Sequence, residues 1–240
     1  MGRYIIKFIK VGNIRYISHL DTLRMFKRAF RRTPVRLRYS QGYNPHPKMG
    51  FTMPLSLGFE TRGDYIEIET EERYGPEDIV HWLNGVLPEG VAAKNCRILP
   101  EESKTPSAAV VEYASYTAEY CGGECGISDS IKSAISGFMG MERIMSVKYS
   151  KKKKQDVETD IRPLIHSVSA VERSDGSGGL MLTMMLKTGN SGSLNPSALL
   201  KALTGYAGSE YREQDWRITR TDMYFTDRKK GIVSLGEFAG

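Results

Sequence analysis

The sequence ISHLDTLRMFKRAFRRTPVRLRYSQGYNPHPK, residues 17–48, predicts a helix, a strand and a bent loop in direct succession. In the helical part, apolar side chains recur every three or four positions, which is the spacing of a buried helix face. These side chains are Leu20, Leu23, Phe26 and Phe30. Ser18 and Asp21 form an acidic variant of the N-terminal capping box. Pro34 ends the helix, because the residue before a proline is disfavoured in the helical region.

A second stripe on the same helix is basic. At helical spacing it carries Arg24, Lys27, Arg28 and Arg31, and the residues that follow add Arg32, Arg36 and Arg38. Cations one turn apart repel each other, so a short helix gains no stability from this arrangement. Arginine offers a planar, bidentate fork for phosphate and stacks on nucleobases. The stripe therefore predicts a surface for nucleic acid or another polyanion, and the alternative is a solvated helix face without a ligand.

The positive charge of the chain is concentrated at its N-terminal end. The 240 residues carry a net charge of +6, from 34 Lys and Arg against 28 Asp and Glu. Residues 1–50 hold 12 of the basic residues and a single acidic one, Asp21, which leaves 22 basic and 27 acidic residues for the rest of the chain. Such an asymmetry favours a polyanion-binding surface more than a uniformly basic composition would.

The overall composition is that of an ordinary globular protein, with 40% hydrophobic and 26% charged residues. No apolar run approaches the roughly 18–20 residues that span a bilayer. The N-terminus lacks the apolar core and the cleavage site of a signal peptide. Three cysteines, an odd number, predict no disulfide framework. We therefore expect a cytoplasmic protein that does not use a membrane as partner.

The first hundred residues predict a β-α-β-β-α-β order, which is the pattern of a ferredoxin-like domain. Alternating apolar residues mark the strands, and Pro76 suits the first turn of the second helix. The predicted strands are 3–10 with an extension over 14–17, then 35–40, 64–70 and 91–99, and the second helix runs up to Gly90.

The second half predicts the same order with an extra strand or extension. Its predicted strands are 112–120, 143–149, 161–171, 180–186 and 216–225, with N-caps for its two helices at Ser128 and Asn195 and a hairpin turn at SDGSGG, residues 174–179. We therefore predict an α+β fold of two tandem ferredoxin-like (βαββαβ) halves. The predicted boundaries are 1–99 for the first half, 100–110 for a linker, 111–225 for the second half and 226–240 for a fraying tail.

The loop QGYNPHPKMGFTMP, residues 41–54, places aromatic rings beside cations. Single-stranded nucleic acid binds such surfaces, because bases stack on the rings for roughly 1–3 kcal/mol each while the cations hold phosphates. The candidate contacts are Gln41, Tyr43, Asn44, His46, Lys48 and Phe51. The alternative is that the prolines and glycines only shape the connection and that Phe51 packs beneath it.

Three residues in this region are candidates for acid–base chemistry: His19, Asp21 and His46. The two histidines are also of a type that binds metals. A histidine in the first turn of a helix is more often a structural residue that forms hydrogen bonds. We therefore assign no firm catalytic residue, and we predict no metal and no cofactor.

Cys121 and Cys125 invite an iron–sulfur interpretation. A radical SAM cluster needs three thiolates spaced C-x3-C-x2-C, but Ser128 occupies the third position and Cys96 is the only other thiol. A turn between a strand and a helix is the preferred interpretation. By the same reasoning, the four lysines of 151–154 are a solvated loop tip, and Asp160 and Arg162 form an ion pair on one strand face.

Several segments resemble the radical SAM-linked protein family. They are RYISHLD (15–21), RAFRRT (28–33), YSQGYNPHPK (39–48), PLSLG (54–58) and TDIRPLI (159–165). Members of that family occur as the C-terminal part of a radical SAM protein, or as a separate chain beside one, and often lie near a ribonuclease of the E/G type in bacterial genomes. The resemblance implies an accessory to a radical enzyme that acts on RNA, with any iron–sulfur cluster held by the partner.

Three functions follow as hypotheses. The leading one is a non-enzymatic RNA-binding module that presents tRNA or rRNA to a radical SAM partner, with phosphate held by Arg24, Arg28 and Arg31. The second is an RNA-processing or RNA-modifying enzyme that uses His19 or His46. The third is a protein-interaction scaffold whose basic face meets an acidic partner subunit.

Overall fold

The computed structural model describes residues 1–100, 105–123, 126–150, 155–171 and 179–238. They form a mixed α+β protein with few helices, whose strands pair mostly in antiparallel fashion. The strands are β1 (Gly2–Lys10), β2 (Met49–Phe51), β3 (Glu60–Thr70), β4 (Val91–Leu99), β5 (Tyr113–Tyr120), β6 (Met145–Ser150), β7 (Gln155–Asp160), β8 (Ile165–Val171), β9 (Met181–Lys187), β10 (Trp216–Asp227) and β11 (Gly231–Ser234). The helices are α1 (His19–Arg31), α2 (Pro76–Asn84), α3 (Ser107–Val110), α4 (Ile127–Gly140) and α5 (Pro196–Tyr206). Within this part of the chain, no helix has both the length and the apolar character that crossing a bilayer takes.

The chain divides into two compact units. The first contains Met1–Glu112 together with Arg220–Gly240, and the second contains Tyr113–Thr219. These boundaries differ from the predicted ones because the chain returns to the first unit at its end. There β11 pairs with β10, and Leu235 and Phe238 are buried. The prediction that residues 226–240 fray is therefore wrong for the part of the tail that the structure describes.

The sheet of the first unit has the strand order β4-β1-β3-β10, with β2 beside β3 and β11 beside β10. β1 is antiparallel to both of its neighbours, so that Tyr4 lies opposite Ile68 on one side and Ile98 on the other. Alternate residues of β1 belong to the core cluster that also includes the apolar faces of α1 and α2. This cluster contains Tyr4, Ile6, Phe8, Phe26, Phe30, Ile79 and Leu83.

A buried ion pair joins β3 to β10 within this unit. Arg220 and Asp64 are 2% and 5% exposed, and the guanidinium donates to both carboxylate oxygens at 2.6 and 2.8 Å. Thr61 donates a further hydrogen bond to the same carboxylate at 2.8 Å. The backbones are close here, since a Cβ on Gly63 would lie 2.1 Å from the carbonyl oxygen of Thr221. The pair is tolerated in the interior because each charge is neutralised by the other through hydrogen bonds of good geometry.

The helix α1 begins after Ser18 and ends before Pro34 as predicted, but its buried face differs. The buried residues are Thr22, Phe26, Ala29 and Phe30. Leu20, which we predicted to be buried, is 61% exposed. Thr22 lies on the core side instead, and its hydroxyl donates to the carbonyl of Ser18 at 2.9 Å, so its burial leaves no polar group without a partner.

Two predicted strands of the first unit are wrong. In place of the extension over 14–17, Gly12–Tyr16 forms a 3-10 helix. Residues 35–40 form only isolated bridges, at Leu37 and Tyr39. Proline lacks the backbone N–H that a ladder needs, and Pro47 faces Tyr39, so pairing does not continue there. The short strand β2, inside the predicted loop, pairs with β3 instead.

The second predicted helix is confirmed at its start and is shorter than expected. α2 begins at Pro76 and ends at Asn84, not near Gly90. The side chain of Asn84 leaves the helix to exchange two hydrogen bonds with the backbone of Ala93, at 3.0 and 2.8 Å. These bonds explain the early end, because asparagine competes for backbone partners outside the helix.

The second unit has the strand order β10-β5-β9-β8, to which β10 contributes its residues up to Thr219. β9 is antiparallel to β5 and to β8, so the predicted hairpin is confirmed. Of its turn, residues 174–178 lie outside the described residues. β6 and β7 form a separate antiparallel pair, and β7 was not predicted.

The two helices of this unit start differently. Asn195 caps α5 as predicted, since its Oδ1 accepts from the backbone of Ser197 at 2.9 Å. Ser128 does not cap α4, because the helix already begins at Ile127, after Gly126 in the left-handed region with φ of +86°. A side chain at Gly126 would strain that backbone, so the turn itself and not a serine starts the helix.

The predicted ion pair between Asp160 and Arg162 is wrong. The guanidinium of Arg162 donates to the carbonyl oxygens of Met139 and Ile165, at 3.0 and 3.4 Å. The carboxylate of Asp160 accepts from the backbone N–H of Ile144 and of Arg162, each at 3.0 Å. Both groups are satisfied by backbone. The lysine run 151–154 and Cys125 lie outside the described residues.

Replacing the buried carboxylate tests the importance of the β3–β10 ion pair. Asp64→Asn leaves the Arg220 guanidinium buried without a counter-charge, which destabilises by about 3–5 kcal/mol. We expect a lower urea midpoint by circular dichroism with an unchanged slope. Glu89→Gln removes an exposed carboxylate that makes no ion pair with the described residues and serves as control, with a midpoint close to that of the wild type. Equal midpoints for the two variants would contradict the assignment.

Thiol labelling tests the packing of β4. Cys96 is buried, and burial raises the pKa of its thiol to about 12. At pH 8 the thiol is therefore protonated and inaccessible, while Cys121 is exposed. We expect iodoacetamide to alkylate Cys121 and to spare Cys96, as read by peptide mass spectrometry. Both should react in urea. Fast labelling of Cys96 in the folded protein would show that β4 is packed differently.

Candidate functional site

The cationic helix α1 is held at its start by a local hydrogen-bond network. The hydroxyl of Ser18 accepts from the backbone of Asp21 at 3.1 Å and donates to its carboxylate at 2.7 Å. Arg24 contacts the same carboxylate at 2.9 Å. These bonds, from Ser18 first and Arg24 second, hold the pKa of Asp21 below its usual value. The carboxylate is thus committed to the helix start, and Arg24 is the one member of the stripe that it neutralises.

Five further cations of the stripe and of the segment after it, residues 32–48, have no counter-charge. They are Lys27, Arg28, Arg31, Arg32 and Arg36. Across the described ranges, none of the five lies within 4 Å of a carboxylate. Lys27 is half-buried and the four arginines are exposed. Like charges gathered without internal compensation raise the local positive potential, which attracts anions.

A groove of about 330 Å³ opens between α1 and the segment that follows it. Two of its cationic side chains come from the helix and one from the segment, and the other residues supply an apolar floor, an aromatic ring and a carboxylate. The lining residues are Lys27, Phe30, Arg31, Thr33, Val35, Arg36, Leu37, Tyr39, Pro47 and Glu71. Three of these residues, Lys27, Arg31 and Arg36, were predicted to belong to the basic surface, and the structure brings the three together.

The segment that forms one wall of the groove is held from below by Tyr74. The Tyr74 hydroxyl accepts from the backbone of Arg36 at 3.1 Å and donates to the carbonyl of Pro34 at 3.3 Å. Tyr74 is in turn bonded through its backbone to the hydroxyl of Tyr4, which is fully buried in β1. The backbone of Glu71 also donates to the carbonyl of Arg36 at 2.9 Å. These hydrogen bonds therefore fix the wall to the sheet.

Two of the predicted cations are partly neutralised. Arg38 and Lys48 both contact the carboxylate of Glu69, at 2.9 and 3.0 Å. Their backbones are joined as well, since the N–H of Lys48 donates to the carbonyl of Arg38 at 2.7 Å. One carboxylate shared by two cations leaves a positive balance. This arrangement closes the base of the loop beside the groove.

The loop beyond this base projects an aromatic side chain into solvent. Ser40 and His46 close the loop by two hydrogen bonds, from the backbone of Ser40 to the carbonyl of His46 at 2.8 Å and from the backbone of His46 to the Ser40 hydroxyl at 3.0 Å. Gln41, Asn44 and His46 are exposed, and Tyr43 at the tip is 108% exposed. An aromatic ring held clear of the protein is available for stacking on a base.

Phe51 is not part of this exposed surface. Its ring packs against Phe8, Phe26 and His19, with centroid distances of 5.4, 5.7 and 5.2 Å. The alternative in which Phe51 packs beneath the loop therefore describes the structure, and the predicted stacking contact is wrong for this residue. The reason is that β2 pairs with β3 and holds Phe51 against the core of the unit.

The three acid–base candidates are not joined. His19 contacts the ring of Phe51, Asp21 is engaged by Ser18 and Arg24, and His46 lies on the exposed loop. No hydrogen bond connects any two of the three candidates in the described chain. Nor do its residues hold a group of three His, Cys, Asp or Glu side chains suited to a metal ion.

Three residues that line the groove or a nearby cavity were not predicted from the sequence. Tyr39 and Glu71 line the groove, and Lys10, 4% exposed, lines a smaller cavity of about 10 Å³ beside His19. Burial lowers the pKa of Lys10, and the nearby charge of Asp64 opposes that effect. Alternation had placed Tyr39 with Val35 and Leu37, on the strand face opposite Arg36 and Arg38. For Glu71 and Lys10 no local pattern indicates the position, because the chain brings them there only by folding.

Comparison with known proteins shows the family to which the chain belongs. A family profile described as "Uncharacterized protein conserved in bacteria (DUF2344)" matches residues 3–196. Among curated proteins, none matches the sequence. Among solved structures, the chain is similar to one from the "Crystal Structure of a Cbf5-Nop10-Gar1 Complex", with 10% identity and a TM-score of 0.47 over 92% of this chain and 48% of that one. The chain thus spans about half the length of that neighbour. The family profile covers most of the chain, which therefore belongs to the family of uncharacterized proteins conserved in bacteria, DUF2344.

Proposed function

We propose that this protein is an RNA-binding module, with the surface of α1 and the segment 32–48 as its RNA contact. The observation that carries the proposal is the set of five cations without a counter-charge: Lys27, Arg28, Arg31, Arg32 and Arg36. Elsewhere in the same unit, basic side chains do pair with acids, as Lys7 does with Asp222 at 2.8 Å. A surface whose charges are left uncompensated beside others that are paired is suited to an external polyanion.

The projecting loop favours RNA as the ligand over a polyanion that has no bases. Tyr43 is fully exposed at the tip of a loop whose base, at Tyr39 and Pro47, lines the basic groove. Aromatic rings next to cations bind single-stranded nucleic acid by stacking and phosphate contact together. Arg38 and Lys48, with one shared carboxylate between them, add to the positive surface at the base of the loop. We expect the ligands to be tRNA and rRNA loops, which expose unpaired bases.

The partner in this proposal is a radical SAM protein in the cytoplasm. This part of the proposal is supported by the resemblance of RYISHLD, YSQGYNPHPK and TDIRPLI to the radical SAM-linked family. The first two of these segments lie in and around the basic surface. The module presents RNA, and the partner holds the cluster and performs the modification. On this proposal the chain itself supplies no catalytic group.

We also infer that each unit is a variant of the ferredoxin-like plan. In the first unit β1, α1, β2, β3, α2 and β4 follow in that order, and in the second β5, α4, β8, β9, α5 and β10 do so, with the β6–β7 hairpin inserted. These orders support two βαββαβ halves. The end of the chain, which returns to the first unit, is an addition to that plan.

Charge reversal on the helix tests RNA binding. Arg28 is exposed and makes no described contact, so Arg28→Glu should leave the fold intact. Losing a hydrogen bond to a charged phosphate costs about 1.5–3 kcal/mol, which is roughly a ten- to hundredfold loss of affinity. We expect that loss for single-stranded RNA by fluorescence anisotropy. Arg228→Glu, the same change at an exposed site on the β10–β11 turn, is the matched control. Unchanged affinity in a folded Arg28→Glu protein would count strongly against the proposal.

The salt dependence of binding gives an independent measure of the contacts. For single strands, the logarithm of affinity falls with the logarithm of salt by about 0.7 for each phosphate neutralised. Several phosphate contacts should therefore give a steep slope, and Arg28→Glu should reduce it by about one contact. Flat, weak binding would reject the RNA proposal. It would favour the scaffold hypothesis, in which the basic face meets an acidic subunit and the complex survives nuclease treatment.

A further inference from the structure

The groove beside α1 contains four charged side chains that do not neutralise one another. Three are the cations Lys27, Arg31 and Arg36, and the fourth is the exposed carboxylate of Glu71. In the part of the chain that the structure describes, Glu71 forms no ion pair within 4 Å. Glu69, two residues earlier, binds two cations at once. The contrast shows that a carboxylate in this region is able to pair, and that Glu71 is positioned away from its cationic neighbours.

The remaining groove residues are mostly apolar. The floor is made by the buried side chains of Phe30, Val35 and Leu37, and Tyr39 stands at its edge with 43% of its surface exposed. A volume of about 330 Å³ lies within the range of small-ligand sites. A partly exposed ring beside an apolar floor is suited to the face of a nucleobase. The groove thus combines a surface for a base with separate sites for positive and negative groups.

These features restrict the chemistry of a ligand. The three cations require an anionic group, for which phosphate is the best match to arginine forks. An ionised carboxylate only accepts hydrogen bonds, so Glu71 requires N–H or O–H donors on the ligand. Guanine presents two N–H groups side by side on its pairing edge, and a carboxylate accepts both. Adenine and cytosine offer an amino group next to an acceptor nitrogen, and uracil offers one N–H between two carbonyls.

We propose that the groove holds one guanosine nucleotide of an RNA strand, with its base on the apolar floor beside Tyr39, its pairing edge at Glu71 and its phosphate at Lys27, Arg31 and Arg36. This inference rests on the proposed RNA-binding function and adds base selectivity to it. The base must be unpaired, since its pairing edge is occupied by the protein. The wall of the groove at Pro34 and Arg36 is held in place by their hydrogen bonds with the Tyr74 hydroxyl.

The experiment compares short single-stranded RNAs of equal length at one salt concentration by fluorescence anisotropy with the full chain. Each carries one test nucleotide, guanosine, inosine or adenosine, in a uridine background. Loss of one hydrogen bond to a charged acceptor reduces affinity about tenfold. We expect guanosine to bind about tenfold more tightly than inosine, which lacks the exocyclic amino group, and adenosine to bind no better than inosine.

Glu71→Gln isolates the selectivity. It should lower the affinity for the guanosine RNA to about that for the adenosine RNA, while the adenosine RNA binds no more weakly, since the change removes a negative charge from a phosphate-binding surface. Glu72→Gln, the neighbouring exposed carboxylate that does not line the groove, is the matched control and should keep the preference. A preference that persists in Glu71→Gln would overturn the inference.

The two proposals fail in different ways. If guanosine and adenosine RNAs bind equally, and both lose affinity in Arg28→Glu, the guanosine site is overturned and the RNA-binding function stands. If neither RNA binds, the RNA-binding function is overturned, and the guanosine site falls with it. Arg28 does not line the groove, which is why its variant reports on the general surface alone.

Discussion

Arg220 and Asp64 form a bidentate ion pair that is almost completely removed from solvent, and the first unit is built around it. The guanidinium also donates to the carbonyls of Met53 and Pro54, at 3.2 and 3.1 Å. One side chain from the end of the chain therefore fixes β3 and the end of the loop that leads into it. A buried charge is costly unless it is fully paired. The pair therefore forms only when the C-terminal part of the chain, which carries Arg220, is in place. The polar network thus specifies an arrangement that apolar packing alone would leave open.

The same unit separates its charges into two classes. Within the sheet, several cations meet carboxylates, as Arg3 does with Glu67 and Lys7 with Asp222. Along α1 and the segment after it, five cations are left without partners, whereas Arg24 contacts Asp21 and Arg38 and Lys48 share Glu69. Compensated charges contribute to the fold, whereas uncompensated ones raise the potential of a surface and cost stability. A surface that accepts this cost in one place, next to a groove with an aromatic edge, has the character of a binding site.

Local patterns in the sequence predicted well where local forces dominate. Ser18, Pro34, Pro76 and Asn195 mark helix boundaries through capping and fixed backbone angles, which act over a few residues. Alternating residues located β1, β3 and β4, since their faces are set by the core. The wrong predictions concern features that depend on tertiary contacts. Leu20 has the right spacing for a core residue, yet the buried position is taken by Thr22, and the strand over 35–40 is limited to isolated bridges by its pairing partners.

The sequence by itself determined which part of the chain is basic, which residues begin and end its main helices, and which residues of β1 and β3 form the core. Spacing and composition suffice for these, because they depend on neighbours along the chain. Only the tertiary structure decided which cations remain uncompensated, since pairing depends on residues far apart in sequence, such as Arg38 and Glu69. It also decided that Phe51 belongs to the core, and that Tyr39 and Glu71 complete a groove with Lys27, Arg31 and Arg36. A groove is a property of surfaces brought together by folding, and no local pattern encodes it.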